Sequence, residues 1–273
     1  MTTPALPTFF ISHGGGPWPW MEAQMGGRYD KLKAALQQMP QLVQRTGIAP
    51  NAVLMISAHW EEPEFTVMAN PKPPMIYDYY GFPDFTYQIQ YAAPGAPQLA
   101  ARVQGLLDNA GLAARLDPLR GFDHGMFAPM AAIYPNADMP TVQLSLKRGL
   151  DPQTHLALGR ALAPLRHEGI LIVGSGLSYH NLRAFGPAGK APSAAFDAWL
   201  QQALTTTTPA QRTAALTGWE SAPAARQAHP REEHLLPLMV AVGAAEDDIA
   251  TRVYHEDDFA GGITVSSFMF GGS

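Results

Sequence analysis

The sequence predicts an α/β fold, and three stretches carry the prediction. Residues 51–60, NAVLMISAHW, form an almost unbroken apolar run that gives out at Ser57, Ala58, His59 and Trp60. A run of this length, with Val, Met and Ile and no polar alternation, reads as a strand buried on both faces. Residues 9–16, FFISHGGG, repeat the plan and end at Ser12 and His13. Residues 170–181, ILIVGSGLSYHN, run out through glycines to His180. Segments with helical spacing separate these runs, the alternation that builds α/β proteins. In open α/β sheets the ligand crevice lies beyond the carboxyl ends of the strands. Three strands that each deliver a histidine to one edge therefore predict a site there.

Composition narrows what that site can be. The chain of 273 residues is long for one domain but within the α/β range, and 47% apolar residues suffice for a sizeable core. A net charge of −5 argues against a general nucleic-acid or anionic-membrane surface. The absence of cysteine excludes disulfide scaffolds, thiolate metal sites and cysteine nucleophiles, so any metal must be held by His, Asp or Glu. No uncharged run is long enough to span a membrane. The N-terminus lacks the pattern of a signal peptide, which leads to the expectation of a soluble cytoplasmic protein.

Taken in order, residues 6–12 read as the first strand, ending at His13 and Gly14–Gly16. Pro17, Trp18, Pro19 and Trp20 make a rigid aromatic segment suited to walling a pocket. Residues 29–45 have helical spacing, with Leu32, Ala35, Leu36, Met39 and Leu42 on one face. After the central strand, residues 64–68 alternate and predict a further strand at a sheet edge. Residues 72–94 hold Tyr77, Tyr79, Tyr80, Phe82, Phe85 and Tyr87, too apolar a loop to be simply solvated. It is expected to cover the core or wall the site. Residues 97–110 predict a helix with Gly111 at its C-terminal cap.

GFDHG, residues 121–125, follows a short strand-like segment and precedes a helical run over 127–133. His124 is thereby placed at a helix start, either tied to Asp123 or facing a substrate. Residues 140–146 predict a buried strand, and Asp151 caps a helix running through Arg166. His155 and His167 lie among surface residues and read as solvated. Helices are predicted over 193–204 and 209–216. Residues 229–244, HPREEHLLPLMVAVGA, predict a helix with Pro230 just inside its start and Glu232, Glu233 and His234 in its first turn. His229 and Glu233, four apart, are placed to pair. Residues 262–270 predict a closing strand. With no repeat and no composition break, residues 1–273 read as one domain.

If His13, His59 and a residue of the Glu232–His234 turn meet at the sheet edge, they form a three-ligand set with open positions, the pattern of a catalytic metal. Two histidines with a carboxylate match the facial arrangement of non-heme Fe(II) oxygenases, and three histidines suit zinc or iron. Spacing alone does not choose between them. Five motifs carry a resemblance: SHGGGP at His13, SAHW at His59, GFDHG at His124, GSGLSYHNLR at His180 and EHLLPL at His234. Together they resemble the class III extradiol ring-cleaving dioxygenases, in the 4,5-DOPA dioxygenase-like branch. The catalytic subunit of protocatechuate 4,5-dioxygenase is a more distant likeness. The motifs span nearly the whole chain.

The resemblance implies a single α/β domain with a central mixed β-sheet, helices on both faces and the active site at the strand C-terminal ends. It implies one mononuclear metal on His13, His59 and His234, with Glu233 the alternative ligand because the protocatechuate branch uses a glutamate. Fe(II) is the implied metal for activity, and Zn(II) is able to fill the same site as isolated. His180 is implied as the acid/base, or as a further ligand in a zinc-filled resting enzyme, and His124 as a group contacting a substrate oxygen. The implied reaction inserts O2 into a catechol, DOPA- or protocatechuate-like, so the partners are a small aromatic substrate and O2. Trp18, Tyr77 and Arg183 are candidates for substrate contact, with Arg231 a further candidate for a substrate carboxylate. Two rival readings use the same residues. One is a zinc-dependent hydrolase, and the other a non-catalytic binding protein of the same fold.

Overall fold

A computed structural model describes residues 5–272. They build one eight-stranded sheet of order β4-β3-β5-β2-β6-β1-β8-β7. The strands are β1 (Thr8–Ser12), β2 (Ala52–Glu62), β3 (Phe65–Met68), β4 (Ala114–Asp117), β5 (Thr141–Lys147), β6 (Ile170–Gly176), β7 (Ala250–Phe259) and β8 (Ile263–Phe270). The four central strands β5, β2, β6 and β1 run parallel, and antiparallel pairings β3–β5 and β1–β8 join the flanking strands to them, so the sheet is mixed. Every residue of β1 and β6 is buried, as are the first seven of β2, which is why these stretches read as apolar runs without alternation.

The helices are α1 (Glu22–Met25), α2 (Asp30–Gln44), α3 (Pro97–Asn109), α4 (His124–Ile133), α5 (Pro152–Leu162), α6 (Lys190–Thr205), α7 (Pro209–Thr217), α8 (Ala225–Ala228) and α9 (Leu236–Ala244). α9, apolar all round, packs on β1, β2 and β6 with α5 behind it, while α4 and α2 cover the other face. Leu32, Leu36, Met39 and Val43 form the buried stripe of α2. Asp151 caps α5 by accepting the Thr154 N–H at 2.7 Å, as predicted. Among the described residues no helix is long and apolar enough to cross a membrane.

Several expectations need correction. The strand at residues 65–68 lies between β4 and β5, so the sheet edge is β4 instead. The helix expected from Pro230 begins at Leu236, because residues 230–235 form turns, and Pro237 is the proline in its first turn. The closing strand forms as β8, and an additional strand that the sequence did not suggest, β7, forms a hairpin with it and takes the edge. His155 is buried rather than solvated. Its Nδ1–H donates to the Asp151 carbonyl at 2.8 Å and its Nε2 accepts the Lys147 N–H at 3.2 Å. His167 is exposed, as read from its neighbours.

Candidate active site

The parallel centre of the sheet delivers the histidines. His13 directly follows β1, and its N–H donates to the Gly176 carbonyl of β6 at 2.9 Å. His59 lies in β2 where the pairing with β5 breaks register: Ile56 faces Leu144, but Glu61 faces Leu146. Such bulges re-aim side chains next to functional sites. His234 comes from the turn before α9, whose carbonyl accepts the Leu177 N–H at 3.2 Å. That approach needs Gly176, where a Cβ would stand 2.1 Å from the His234 oxygen. His124 is the first residue of α4, and the helix can press this close to β2 only because the next residue is Gly125. A Cβ there would meet Ser57 Oγ at 2.5 Å and His59 Cδ2 at 2.8 Å.

The ring nitrogens of His13, His59 and His234 lie within 4.8 Å of one another, with His13 Nε2 and His59 Nε2 3.1 Å apart. Neighbouring groups fix their tautomers. The Ser175 hydroxyl donates its one proton to the Gly125 carbonyl at 2.5 Å, so its oxygen accepts from His13 Nδ1–H at 2.9 Å. His59 turns Nδ1 to the Asp78 carboxylate at 3.5 Å. His234 Nδ1 lies 3.0 Å from Glu233 Oε1 and donates to it. His13 and His234 therefore carry their proton on Nδ1 and present Nε2 as a lone pair, and the nearby Asp78 carboxylate favours the same tautomer at His59. Burial, reinforced by the neighbouring histidines, holds His13 and His234 well below the usual imidazole range and brings His59 down to about 3.

With that tautomer at both His13 and His59, two lone pairs 3.1 Å apart repel unless a cation lies between them. Two nitrogens each ~2.1 Å from one ion stand about 3.0 Å apart at a right angle and about 3.4 Å apart at the tetrahedral angle. The observed spacing falls between those values, and the buried, neutral donor set suits a divalent metal. Two further groupings, His59–Asp78–His124 and His180–Glu233–His234, also bring donor atoms together. In both, however, the carboxylate is already engaged by the histidines. Asp78 Oδ1 accepts the N–H and Nδ1–H of His124 at 3.0 and 2.8 Å. Glu233 Oε1 accepts Nδ1–H of His180 and of His234, each at 3.0 Å. Burial pushes the Glu233 carboxyl up, but the bond from His180 and the charge of Arg231 outweigh it and keep the group ionised.

These residues open into a cavity of about 420 Å³. Its wall includes His13, His59, His124, His180 and His234 together with Tyr29, Tyr79, Tyr80, Phe82, Leu177, Leu182, Phe185 and Phe259. His180 stacks on His234 with ring centroids 3.4 Å apart. His124 is tied to Asp78 rather than to Asp123, which is buried and bound by Ser57, Arg120 and Gln143.

The chain matches the family described as the catalytic LigB subunit of aromatic ring-opening dioxygenase over residues 7–270. It belongs to that family. The dioxygenase is 39% identical to the 4,5-DOPA dioxygenase extradiol of Beta vulgaris, with 96% of each chain covered. It is 33% identical to the 4,5-DOPA dioxygenase extradiol of Escherichia coli K12 over 99% of this chain and 97% of that one. A dioxygenase, tasH, of Hapsidospora irregularis is 37% identical over 98% of this chain and 86% of its own. A crystal structure of an uncharacterised protein from Escherichia coli K12 superposes with a TM-score of 0.74 at 27% identity, covering 97% of this chain and all of the other.

Three residues expected to contact substrate do not line the dioxygenase's cavity. Trp18 is buried under Gly14 and beside Tyr29. Tyr77 donates its hydroxyl to the Ile89 carbonyl at 2.7 Å, within the loop. Arg183 is exposed. Arg231 forks onto Glu61 at 2.5 and 2.6 Å. His229 does not pair with Glu233; its Nε2–H donates to the Ser178 carbonyl at 3.0 Å. Sequence reasoning missed Asp78 and Ser175 as groups that orient the histidines. An isolated acid inside the aromatic run YDYYG was the available signal for Asp78, and none marked Ser175.

Proposed function

We propose that the protein cleaves catechols in the extradiol manner at a mononuclear metal held by His13, His59 and His234, with Fe(II) the active ion. The observation that carries this reading is the convergence of three buried imidazoles, their Nδ1 atoms turned to Ser175, Asp78 and Glu233, in an aromatic cavity that also presents His180 and His124. When bound, a redox-capable divalent ion supplies Lewis acidity that acidifies a catechol hydroxyl and an electron path between the ring and O2. The chain's own residues do the rest. Tyr79, Phe82 and Phe185 hold a flat ring and exclude water. His180, with Nδ1–H on the ionised Glu233, has Nε2 left to take the second phenolic proton and return it to the leaving oxygen. His124, with Nδ1–H on Asp78, offers its Nε2 to a substrate oxygen. Glu233 serves as the partner of His234 and His180 rather than as a ligand, an arrangement that orients ligating histidines and raises their basicity. Ferrous titration of His13→Ala, His59→Ala and His234→Ala tests the assignment. Each is expected to lose metal and O2 consumption together, and retention of one iron with full turnover in any of them would remove that residue from the set.

A further inference from the structure

The cavity wall narrows the class of catechol. Resting on the ring-opening reading above, we propose that the substrate carries an uncharged, apolar ring substituent rather than a carboxylate. Beyond the histidines, the wall is built chiefly from Tyr79, Tyr80, Phe82, Leu177, Leu182 and Phe185. Among the described residues that line it, none is lysine or arginine, and Asp78 is the one carboxylate. Asp78 is already committed to His124 and His59. The two arginines closest in sequence to the site histidines are no substitute. Arg231 is forked onto Glu61, with Glu233 3.5 Å away, and Arg183 does not line the wall. A substituent carboxylate held in this space, away from the metal, would lose water and meet no basic side chain, which is costly.

The rim points the same way. Tyr80 is 92% exposed and Leu182 68% exposed, yet both line the cavity. Large apolar side chains left in water at a cavity mouth gain by being covered, and an apolar arm on the ring would cover them. The space of about 420 Å³ lies within the range of ~300–1,000 Å³ that drug-sized ligands occupy and exceeds what a bare catechol ring fills.

The test compares unsubstituted catechol, 4-phenylcatechol, 3,4-dihydroxybenzoate and dihydroxyphenylalanine. Two measurements are made on each: calorimetric binding to zinc-loaded protein, and kcat/KM from O2 uptake by Fe(II)-loaded protein. We expect 4-phenylcatechol to bind and turn over at least roughly tenfold better than either carboxylated catechol. We also expect Leu182→Arg, at an exposed position, to shift preference toward the carboxylates. Equal or better binding and turnover of a carboxylated catechol would overturn the inference, most directly if Arg183→Gln abolished it. If plain catechol is cleaved and the phenyl group confers no advantage over it, the inference falls while ring opening stands. If no catechol binds or consumes O2, both fall.

Discussion

Replacing Glu233 by glutamine isolates what this carboxylate does. One oxygen of Glu233 accepts Nδ1–H from both His180 and His234 at 3.0 Å, in a largely buried setting. Glutamine keeps a carbonyl acceptor at the same place but loses the charge. Hydrogen bonds to charged groups contribute ~1.5–3 kcal/mol against ~0.5–1.5 for neutral ones, so each bond weakens by about 1–1.5 kcal/mol. On the His234 side this is expected to cost about tenfold in metal affinity, and on the His180 side about tenfold in kcat, within the ~10–100-fold range of such partners. KM should move little, since Glu233 does not line the cavity. A chelator competition and a steady-state O2-uptake series measure the two effects separately. Complete loss of metal in Glu233→Gln, with metal retained in His234→Ala, would refute the reasoning and make the carboxylate the ligand. An unchanged kcat would show that His180 does not depend on this bond.

Three further outcomes follow from the same geometry. Ser175→Ala removes the acceptor of His13 Nδ1–H and leaves that donor buried and unpaired, a cost of ~1–3 kcal/mol; chelator competition should show metal affinity reduced about tenfold or more. Gly176→Ala sets a methyl 2.1 Å from the His234 carbonyl, which should destabilise the fold by ~1–3 kcal/mol and displace His234, read by thermal melting together with metal content. His155 does not line the cavity and is pushed down to about 4 by burial. Its folded pKa is below its unfolded value near 6.5, so the unfolded chain binds more protons and stability falls as pH drops from 6.5 toward 4. The slope is ~1.4 kcal/mol per pH unit, about 3 kcal/mol in all. Urea unfolding across that window should show His155→Gln with a shallower loss than the parent chain, and parallel profiles would contradict the assignment.

The centre of the fold was legible because strands buried on both faces leave a plain mark: β1, β2 and β6 appear as apolar runs that stop at or near a histidine. The edges were not. β7 carries Arg252, His255, Glu256, Asp257 and Asp258, and a solvated edge strand of that charge resembles a surface loop. The start of α9 was misplaced because HPREEHLLPL offers two prolines, each suited to a helix's first turn. The chain uses Pro237, and the preceding turns are what set His234 against Gly176. His155 looked solvated from its neighbours, although it fills a buried position beside Phe65, with ring centroids 5.6 Å apart. Among the aromatics of residues 72–94, the sequence held no sign of which ones face inward. Tyr77 is pinned by the Ile89 carbonyl, while Tyr79, Tyr80 and Phe82 reach the cavity. The histidines proposed to hold the metal could be picked out from the sequence because their motifs are local. Their orienting partners Ser175 and Asp78 come from other strands and loops, and only the folded chain brings them together.

The most direct test of ring opening is oxygen uptake by protein loaded anaerobically with Fe(II), run beside a zinc-loaded sample on the same catechols. The expected result is one O2 consumed per catechol and a yellow ring-opened product in the iron sample alone. One iron bound per chain with no oxygen consumed by any of these catechols would contradict it.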